Sequence, residues 1–263
     1  MPRIGAGKKT ITYHLTYLGN MISHCYKCIF IHIPKTAGTS IRYLLSNQKL
    51  IDPKDHFSNF LQLGDKKFNP PPPHPRAVDF LDYELVTKDI YYSYFKFAFV
   101  RNPWDRIVSE YKYRRYSNKY SFKTFLFHHL PEPSGSDDYC HILPQYEFIY
   151  DNEGNLLVDF VGRYENIKHD FKKVCEKVGI SNTDLPIKNK SLSLSRYYCG
   201  PIEYLKNIRD ILSIKVKKNN YSNYTEYYDS ESKEFVGELY KKDIEIFKYN
   251  FEVYSDKKIL RAV

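Results

Sequence analysis

The segment from Ile29 to Ser40 constrains the fold most, because it predicts a buried strand, a tight loop and a helix in immediate succession. The strand residues are almost continuously apolar, as in a strand covered on both faces of a parallel sheet. The amphipathic helix is predicted to begin near Ser40. Helix N-termini carry unpaired N–H groups and partial positive charge, so anions bind there readily. Lys35 adds charge, Gly38 allows a close approach, and Thr39 adds a hydroxyl. The segment therefore predicts an α/β fold with a phosphate cradle.

A second strand and helix follow between Phe95 and Tyr111. Residues 95–100 are apolar apart from one lysine, which predicts another buried strand. Asn102 is a favoured helix cap, and Pro103 is a favoured first helical residue. We therefore expect a second strand-to-helix junction beside the first.

Arg101 lies at this second junction, where the carboxyl ends of strands collect ligands in open α/β sheets. Its guanidinium can hold a phosphate bidentately. Ser109 lies about two helical turns beyond Asn102 and on the same helix face. Arg101 and Ser109 are therefore predicted to bind one phosphate, although an ion pair of Arg101 with a neighbouring acid (Asp105 or Glu110) is the alternative. Two anion sites on one sheet indicate a ligand with two separated phosphates.

Later segments continue the alternation of strands and helices. Residues 160–164 predict a short strand, residues 171–178 a helix ended by Gly179, and residues 236–247 a last helix. Such alternation indicates an α/β, three-layer, P-loop-like fold with a central, mainly parallel sheet flanked by helices. The expected divisions are a leader without fixed structure at 1–20, one domain at 21–255 and a tail at 256–263.

Composition restricts the partners and the compartment. The chain has 40 basic and 31 acidic side chains, a net charge of +9, which suits polyanionic partners. It contains no apolar run of about 18 residues and no secretory signal pattern, so we expect a cytoplasmic protein. Five cysteines are an odd number, and we interpret the Cys25/Cys28 pair as structural thiols.

Two other functional classes stay open on these features. A P-loop kinase is disfavoured because the full G-x-x-x-x-G-K-[ST] motif is absent and no strand supplies an obvious aspartate for Mg²⁺. A non-catalytic basic protein that binds nucleic acid or glycans would account for the charge and for basic runs such as residues 112–115. We interpret that run as the solvated face of a helix and expect no nucleic-acid partner.

The two junctions taken together resemble a known family. Residues 31–40 read Ile-His-Ile-Pro-Lys-Thr-Ala-Gly-Thr-Ser, and residues 99–111 read Phe-Val-Arg-Asn-Pro-Trp-Asp-Arg-Ile-Val-Ser-Glu-Tyr. This pair closely resembles the sulfotransferase superfamily, in particular the branch of carbohydrate and heparan sulfate 2-O-sulfotransferases. The resemblance continues through residues 144–146, 159–167 and 243–251.

The resemblance implies a donor, an acceptor class and a set of binding residues. The donor would be 3′-phosphoadenosine 5′-phosphosulfate, the acceptor a carbohydrate hydroxyl, and no metal would be needed. A eukaryotic relative would be expected in the Golgi lumen or at its membrane. Arg101 and Ser109 would bind the 3′-phosphate. The 5′-phosphosulfate would be bound by the loop residues Lys35, Thr36, Ala37, Gly38, Thr39 and Ser40.

The catalytic roles expected from the resemblance fall to Lys35 and His74. Lys35 would stabilise the charge on the departing phosphate oxygen. His74 would be the general base, because His-Pro-Arg-Ala-Val-Asp-Phe resembles the family's histidine-bearing segment. We expect a helix to start at Pro75 with His74 at its N-cap, which would keep the imidazole neutral. His56 and His141 are weaker base candidates, and His32 is expected to be a strand or supporting residue.

The chain departs from the family pattern after residue 185. An apparent insertion near residues 192–218 separates Leu185 from the Tyr-Tyr-Asp segment at 227–229. Either residues 189–190 or residues 218–220 could therefore supply the expected cofactor-facing loop. We hypothesise that the insertion shapes the acceptor pocket.

Overall fold

The computed structural model describes residues 21–46, 71–181, 185 and 223–252. The predicted leader and tail, the insertion and both candidate loops after residue 185 lie outside the described residues. Along the described chain, the strands are β1 (Ile22–Ser23), β2 (Cys28–Ile31), β3 (Phe95–Val100) and β4 (Phe160–Arg163). The helices are α1 (Gly38–Ser46), α2 (Asp79–Asp82), α3 (Lys88–Ser93), α4 (Pro103–Tyr113), α5 (Phe122–His128), α6 (Asp137–Ile142), α7 (Ile167–Val178), α8 (Ser230–Leu239) and α9 (Lys241–Phe247). Short 3₁₀ turns lie at Tyr116–Asn118, Tyr146–Phe148, Tyr164–Asn166 and Tyr224–Tyr227.

The four described strands form one sheet in the order β1-β2-β3-β4. The β2–β3 and β3–β4 pairs are parallel, whereas the short β1 pairs with β2 in the antiparallel direction. The register sets Ile31 beside Ala98 and Val100 beside Arg163. The carboxyl ends of β2 and β3 therefore point to the same edge of the sheet.

Side chains alternate between the two faces of the sheet along each strand, so both faces are apolar. Helices cover both of these faces. Ile29 and Ile31 face one apolar cluster with α2, α3 and α9, whereas Cys28 and Phe30 face another with α1 and α7. The apolar β3 side chains divide in the same way, and all of these strand residues are buried except the half-buried Phe95. The prediction of a mainly parallel sheet flanked by helices is confirmed.

The helix after β3 begins as predicted. The Asn102 side chain accepts a hydrogen bond from the Trp104 N–H at 3.1 Å, and Pro103 is the first residue of α4. Ile107, Val108 and Tyr111 form the buried face of α4, which packs against α5 and α8.

The prediction of one helix over residues 236–247 is wrong. The segment forms α8 and α9, which meet at Tyr240. Tyr240 leaves helical geometry while its side chain stays buried, and its hydroxyl donates to the Ile142 carbonyl at 2.7 Å. Tyr240 is buried in the same apolar cluster as Val236. The apolar spacing of the sequence therefore continues across Tyr240, although the helix does not.

The cysteines of the described residues are all free thiols. Cys28, Cys140 and Cys175 are buried free thiols, and Cys25 is an exposed one. Burial raises the pKa of Cys28 to about 12, which makes it an unreactive structural thiol.

In residues 21–46, 71–181 and 223–252, every helix is too short or too polar to cross a bilayer.

Candidate active site

The loop after β2 has the backbone of an anion cradle. Lys35 and Ala37 adopt left-handed conformations, with φ of 69° and 71°. Side chains at positive φ cost about 1–2 kcal/mol each, and such strain concentrates at functional sites. Thr36 is fully buried, and its hydroxyl donates to the Ile33 carbonyl at 2.8 Å, so this side chain holds the loop together. The Ser40 and Ile41 N–H groups bond back to the Ala37 carbonyl, at 3.0 and 3.3 Å, so the N–H groups that α1 can offer to an anion are those of Gly38 and Thr39.

The hydroxyl-bearing residues that end the loop are accessible. Thr39 is exposed and Ser40 is half-buried, both in the first turn of α1. The predicted helix start near Ser40 is therefore late by about half a turn, since α1 begins at Gly38. The side chains of Thr39 and Ser40 do not have the packing role that Thr36 has.

Glycine at residue 38 makes room for the His32 ring and also lets a ligand approach the backbone of the cradle closely. A Cβ atom at residue 38 would overlap the His32 ring. That ring is held in place, stacked on Phe30 at 5.5 Å and packed edge-on against His74 at 4.8 Å. The histidine of the β2 end therefore links the cradle to the predicted base.

We expect Gly38→Ala to lower the free energy of unfolding by about 1–3 kcal/mol, because overpacking displaces the buried His32 ring. The higher helix propensity of alanine offsets only about 1 kcal/mol of this loss. Chemical denaturation measures the change. Gly135→Ala is the matched control, since a methyl group there has no atom within 4 Å. Equal stability of the Gly38 variant and the wild type would contradict this packing.

The Lys35 side chain reaches Tyr113 at the end of α4. Its Nζ lies 3.6 Å from the centre of the Tyr113 ring, a cation–π contact. Burial lowers the pKa of Lys35 to about 8; Glu110 opposes this shift, and the guanidinium groups of Arg101, Arg114 and Arg106 add to it. Lys35 is therefore a partly desolvated cation, ready to gain from contact with an anion.

Arg101 stands at the end of β3 and contacts the cradle directly. Its Nη1 donates to the Lys35 carbonyl at 3.0 Å, and its guanidinium lies 4.0 Å from the centre of the Tyr164 ring. The side chain also forms an ion pair with Asp105 at 2.8 Å, as the alternative interpretation of the sequence expects. Ser109 is half-buried on the same helix. The two predicted anion sites are thus neighbours at one sheet edge.

Gln145 fixes the backbone of Arg101, a role that the sequence patterns did not identify. Its side chain accepts from the Arg101 N–H at 2.8 Å and donates to the Arg101 carbonyl at 2.7 Å. The Asp243 carboxylate in turn accepts from the backbone N–H groups of Gln145 and Tyr146, at 2.7 and 2.8 Å. Residues 144–146 and 243–251, noted above only as matching segments, therefore brace the strand end.

Asn102 is held by the other late segments. The Glu165 carboxylate accepts from its backbone N–H at 2.6 Å, and its side-chain amide donates to the Asn250 carbonyl at 2.7 Å. The Tyr249 hydroxyl donates to the same Glu165 carboxylate at 3.0 Å. The junction between β3 and α4, where Arg101 lies, is thereby fixed to Glu165 and to residues 249–250.

His74 is buried, but the predicted helix that would begin beside it is wrong. Residues 75–76 have no regular structure, residues 77–78 form a turn, and α2 begins only at Asp79. Asp79 is buried and its carboxylate accepts from the backbone N–H and the guanidinium of Arg76, at 2.7 and 2.9 Å. These bonds hold the chain in a turn where the proline signal predicted a helix. His74 is therefore not an N-cap.

The imidazole of His74 is nonetheless neutral, for another reason. Burial lowers its pKa to about 4, while a hydrogen bond with Asp137 acts in the opposite direction. The side chain is only 6% exposed. A buried neutral imidazole retains a lone pair at neutral pH, as a general base must.

A second histidine lies against His74. The two Nε2 atoms of His74 and His141 are 3.2 Å apart, and the other ring nitrogen of His141 lies 2.7 Å from the Glu110 carboxylate. Asp137 Oδ1 is 3.4 Å from His74 Nε2. Arg114 pairs with both Glu110 and Asp137. Sequence patterns ranked His141 below His74 and gave no signal for these acids, which come from α4 and α6.

Arg106 connects this histidine cluster to the cradle loop. It is 2% exposed and donates to three backbone carbonyls, those of Pro34 at 3.1 Å, Leu143 at 2.7 Å and His141 at 2.9 Å. The Tyr113 ring, which covers Lys35, also stacks on His141 at 5.6 Å. Lys35, Arg101 and His74, distant in sequence, are thus parts of one connected site.

Comparisons with known proteins identify the family of the chain. The sulfotransferase family profile matches residues 19–250. Carbohydrate sulfotransferase 14 of Mus musculus is 25% identical over 201 residues, which cover 65% of this chain and 48% of that protein. An uncharacterised protein of Archaeoglobus fulgidus is 33% identical over 99 residues, 36% of this chain and 76% of that protein. No solved structure shows a significant match. The chain belongs to the sulfotransferase family of enzymes, and its similarity to a carbohydrate sulfotransferase supports the carbohydrate branch.

Proposed function

We propose that the protein transfers a sulfuryl group from 3′-phosphoadenosine 5′-phosphosulfate to a carbohydrate hydroxyl. The observation that carries this proposal is the 3.0 Å hydrogen bond from Arg101 to the Lys35 carbonyl. It joins two anion-binding junctions at the edge where β2 and β3 end. A donor with phosphates at both the 3′ and 5′ positions uses both junctions. ATP has no 3′-phosphate, so it would place no phosphate at the Arg101 junction.

The residues present fit this donor. Backbone N–H groups of the strained loop and of the α1 start suit the 5′ group, with Thr39 and Ser40 hydroxyls beside them. Arg101 and Ser109 suit the 3′-phosphate, because a guanidinium binds phosphate oxygens in pairs. When bound, the donor supplies an activated sulfuryl group, whose in-line displacement forms an S–O bond to the acceptor and breaks the S–O bond to the phosphate oxygen.

The chain's own residues supply the acid–base and charge steps. His74 accepts the proton of the attacking hydroxyl, since its imidazole is neutral near pH 7. Lys35 stabilises negative charge on the departing phosphate oxygen from a half-buried position, where partial desolvation leaves its charge less screened than in open water. A carbohydrate acceptor agrees with the net charge of +9, which suits an acidic glycan, and with the printed name of the mouse relative.

Ligand-induced thermal stabilisation tests the donor assignment. We expect 3′-phosphoadenosine 5′-phosphate to raise Tm more than adenosine 5′-phosphate, which lacks the 3′ group. Arg101→Ala should weaken binding of the 3′-phosphorylated ligand by about 10–100-fold, the loss of one or two hydrogen bonds to a charged group, and should affect adenosine 5′-phosphate much less. Lys168→Ala, which removes one exposed positive charge from α7, is the control.

Other results would favour the other functional classes. Equal stabilisation by both adenosine ligands would refute the two-site assignment. Stabilisation by ATP with Mg²⁺ alone would favour a kinase. Salt-sensitive binding of DNA or RNA without nucleotide discrimination would favour a polyanion-binding protein. A screen of glycan acceptors with radiolabelled donor then tests the acceptor class.

A further inference from the structure

Three metal-binding atoms meet beside the cradle, from His74, His141 and Asp137. The two Nε2 atoms are 3.2 Å apart, and Asp137 Oδ1 lies 3.4 Å from His74 Nε2 and 3.7 Å from His141 Nε2. The two imidazole rings cross at 74°, so they meet at their edges and not face to face.

These separations match a tetrahedral zinc site. Zn²⁺ binds imidazole nitrogen and carboxylate oxygen at about 2.0–2.2 Å, which places neighbouring ligands about 3.3 Å apart in a tetrahedron. The three observed separations lie close to this value. Two histidines and one carboxylate are also a ligand set that zinc sites use, with the fourth position open.

The Glu110 contact sets the tautomer of His141 that a metal ligand needs. His141 Nδ1 lies 2.7 Å from the Glu110 carboxylate. An ionised carboxylate only accepts hydrogen bonds, so Nδ1 carries the proton and Nε2 of the neutral ring has the lone pair. His74 Nε2 and Asp137 Oδ1 lie 3.2 and 3.7 Å from this His141 Nε2 atom.

The surrounding residues orient the three atoms as the neighbours of metal ligands do. Glu110 fixes the His141 ring, the carboxylate–histidine arrangement that supports many zinc ligands. Arg114 binds Oδ2 of Asp137, which leaves Oδ1 for the histidines. Its charge is shared with Glu110 and Asp138, at 2.9 and 2.8 Å. Asp137 is 46% exposed, so an ion can reach the cluster from solvent.

We propose that His74, His141 and Asp137 form a binding site for Zn²⁺ and that the ion inhibits the enzyme. The metal takes the Nε2 lone pair of His74, the pair that would accept the acceptor's proton. The inhibition rests on the proposed sulfotransfer, but the binding does not. Mg²⁺ and Ca²⁺, which prefer all-oxygen sites, should neither bind there nor inhibit.

Zinc titration of the untagged full-length chain, by competition with a chromogenic chelator, tests the binding without donor or acceptor. We expect His141→Ala and Asp137→Asn each to weaken Zn²⁺ binding by at least about 10–100-fold, the loss caused even by outer partners of metal ligands. His169→Ala, an exposed histidine on α7, should bind as wild type. Asp137→Asn replaces a half-exposed side chain with its isostere, so it keeps the test valid if His141→Ala fails to fold.

Activity gives the second measurement. Zn²⁺ should inhibit wild-type turnover, a chelator should restore it, and Asp137→Asn should need at least tenfold more Zn²⁺ for the same inhibition. Unchanged zinc affinity in both variants would overturn the site. Zinc binding that the variants weaken, without any inhibition of an active enzyme, would overturn the inhibitory role. An inactive preparation that still binds zinc through these residues would refute the proposed function and leave the metal site standing.

Discussion

Replacing His74 with alanine is expected to lower kcat for sulfotransfer by about 10²–10⁴-fold, the contribution of a general base. Affinity for 3′-phosphoadenosine 5′-phosphate should change little, because the two anion junctions lie at the ends of β2 and β3. Burial keeps the imidazole neutral, with a pKa of about 4, so its lone pair is present at neutral pH. Single-turnover kinetics with radiolabelled donor, together with nucleotide binding by calorimetry, separate the two effects.

The control for this prediction is a histidine away from the site. His169→Ala on α7 should have wild-type kcat, since its side chain is exposed to solvent. His74→Ala also removes buried contacts, so retained nucleotide binding shows that the variant is folded. Turnover near the wild-type value would eliminate His74 as the base and leave His141 as the nearest candidate.

The sheet and its junctions were predictable because their signals are local. Apolar runs covered on both faces identified β2 and β3, and Asn102 with Pro103 identified the start of α4. Parallel pairing then required that Lys35 and Arg101 share one edge. The Arg101–Asp105 ion pair was also within reach, since those residues lie one helical turn apart.

The surroundings of His74 were not predictable, because they come from distant parts of the chain. Pro75 is a sound helix-start signal, but the buried Asp79 binds Arg76 and holds a turn in its place. His141 and Asp137 reach His74 from α6, and no spacing in the sequence encodes that contact. The sequence predicted a neutral His74 imidazole from an N-cap position, whereas in the structure it is burial that lowers the pKa of His74.

The supporting residues behave similarly. Segments 144–146 and 243–251 stood out by resemblance, but only the fold shows that Gln145 and Asp243 hold the Arg101 backbone. Gly38 was expected to open the cradle to a ligand, and it also makes room for His32. Local patterns thus located the binding loops, whereas tertiary contacts decide how rigidly those loops are held.

Lys35→Met is expected to lower kcat by about 10²–10³-fold, the usual cost of removing one preorganised charge partner of a developing oxyanion. Methionine keeps the stem that packs beneath Tyr113 but removes the cation. Binding of 3′-phosphoadenosine 5′-phosphate should weaken as well, because the free product carries the charge that Lys35 faces. If kcat falls by a larger factor than product affinity, the difference measures the stabilisation that Lys35 gives to the transition state alone.

The pH dependence gives Lys35 a signature that a structural role would not produce. Burial lowers its pKa to about 8 from the usual 10.5, so the cation that binds an anion is lost as pH rises through about 8. Product affinity of the wild type should therefore fall between about pH 7 and pH 9, by up to about tenfold per pH unit. Lys35→Arg stays charged throughout this range, so its affinity should be flat. A wild-type affinity that is equally flat would mean that the lysine charge does not contact the bound anion, and the stabilising role would have to pass to the N–H groups of the cradle.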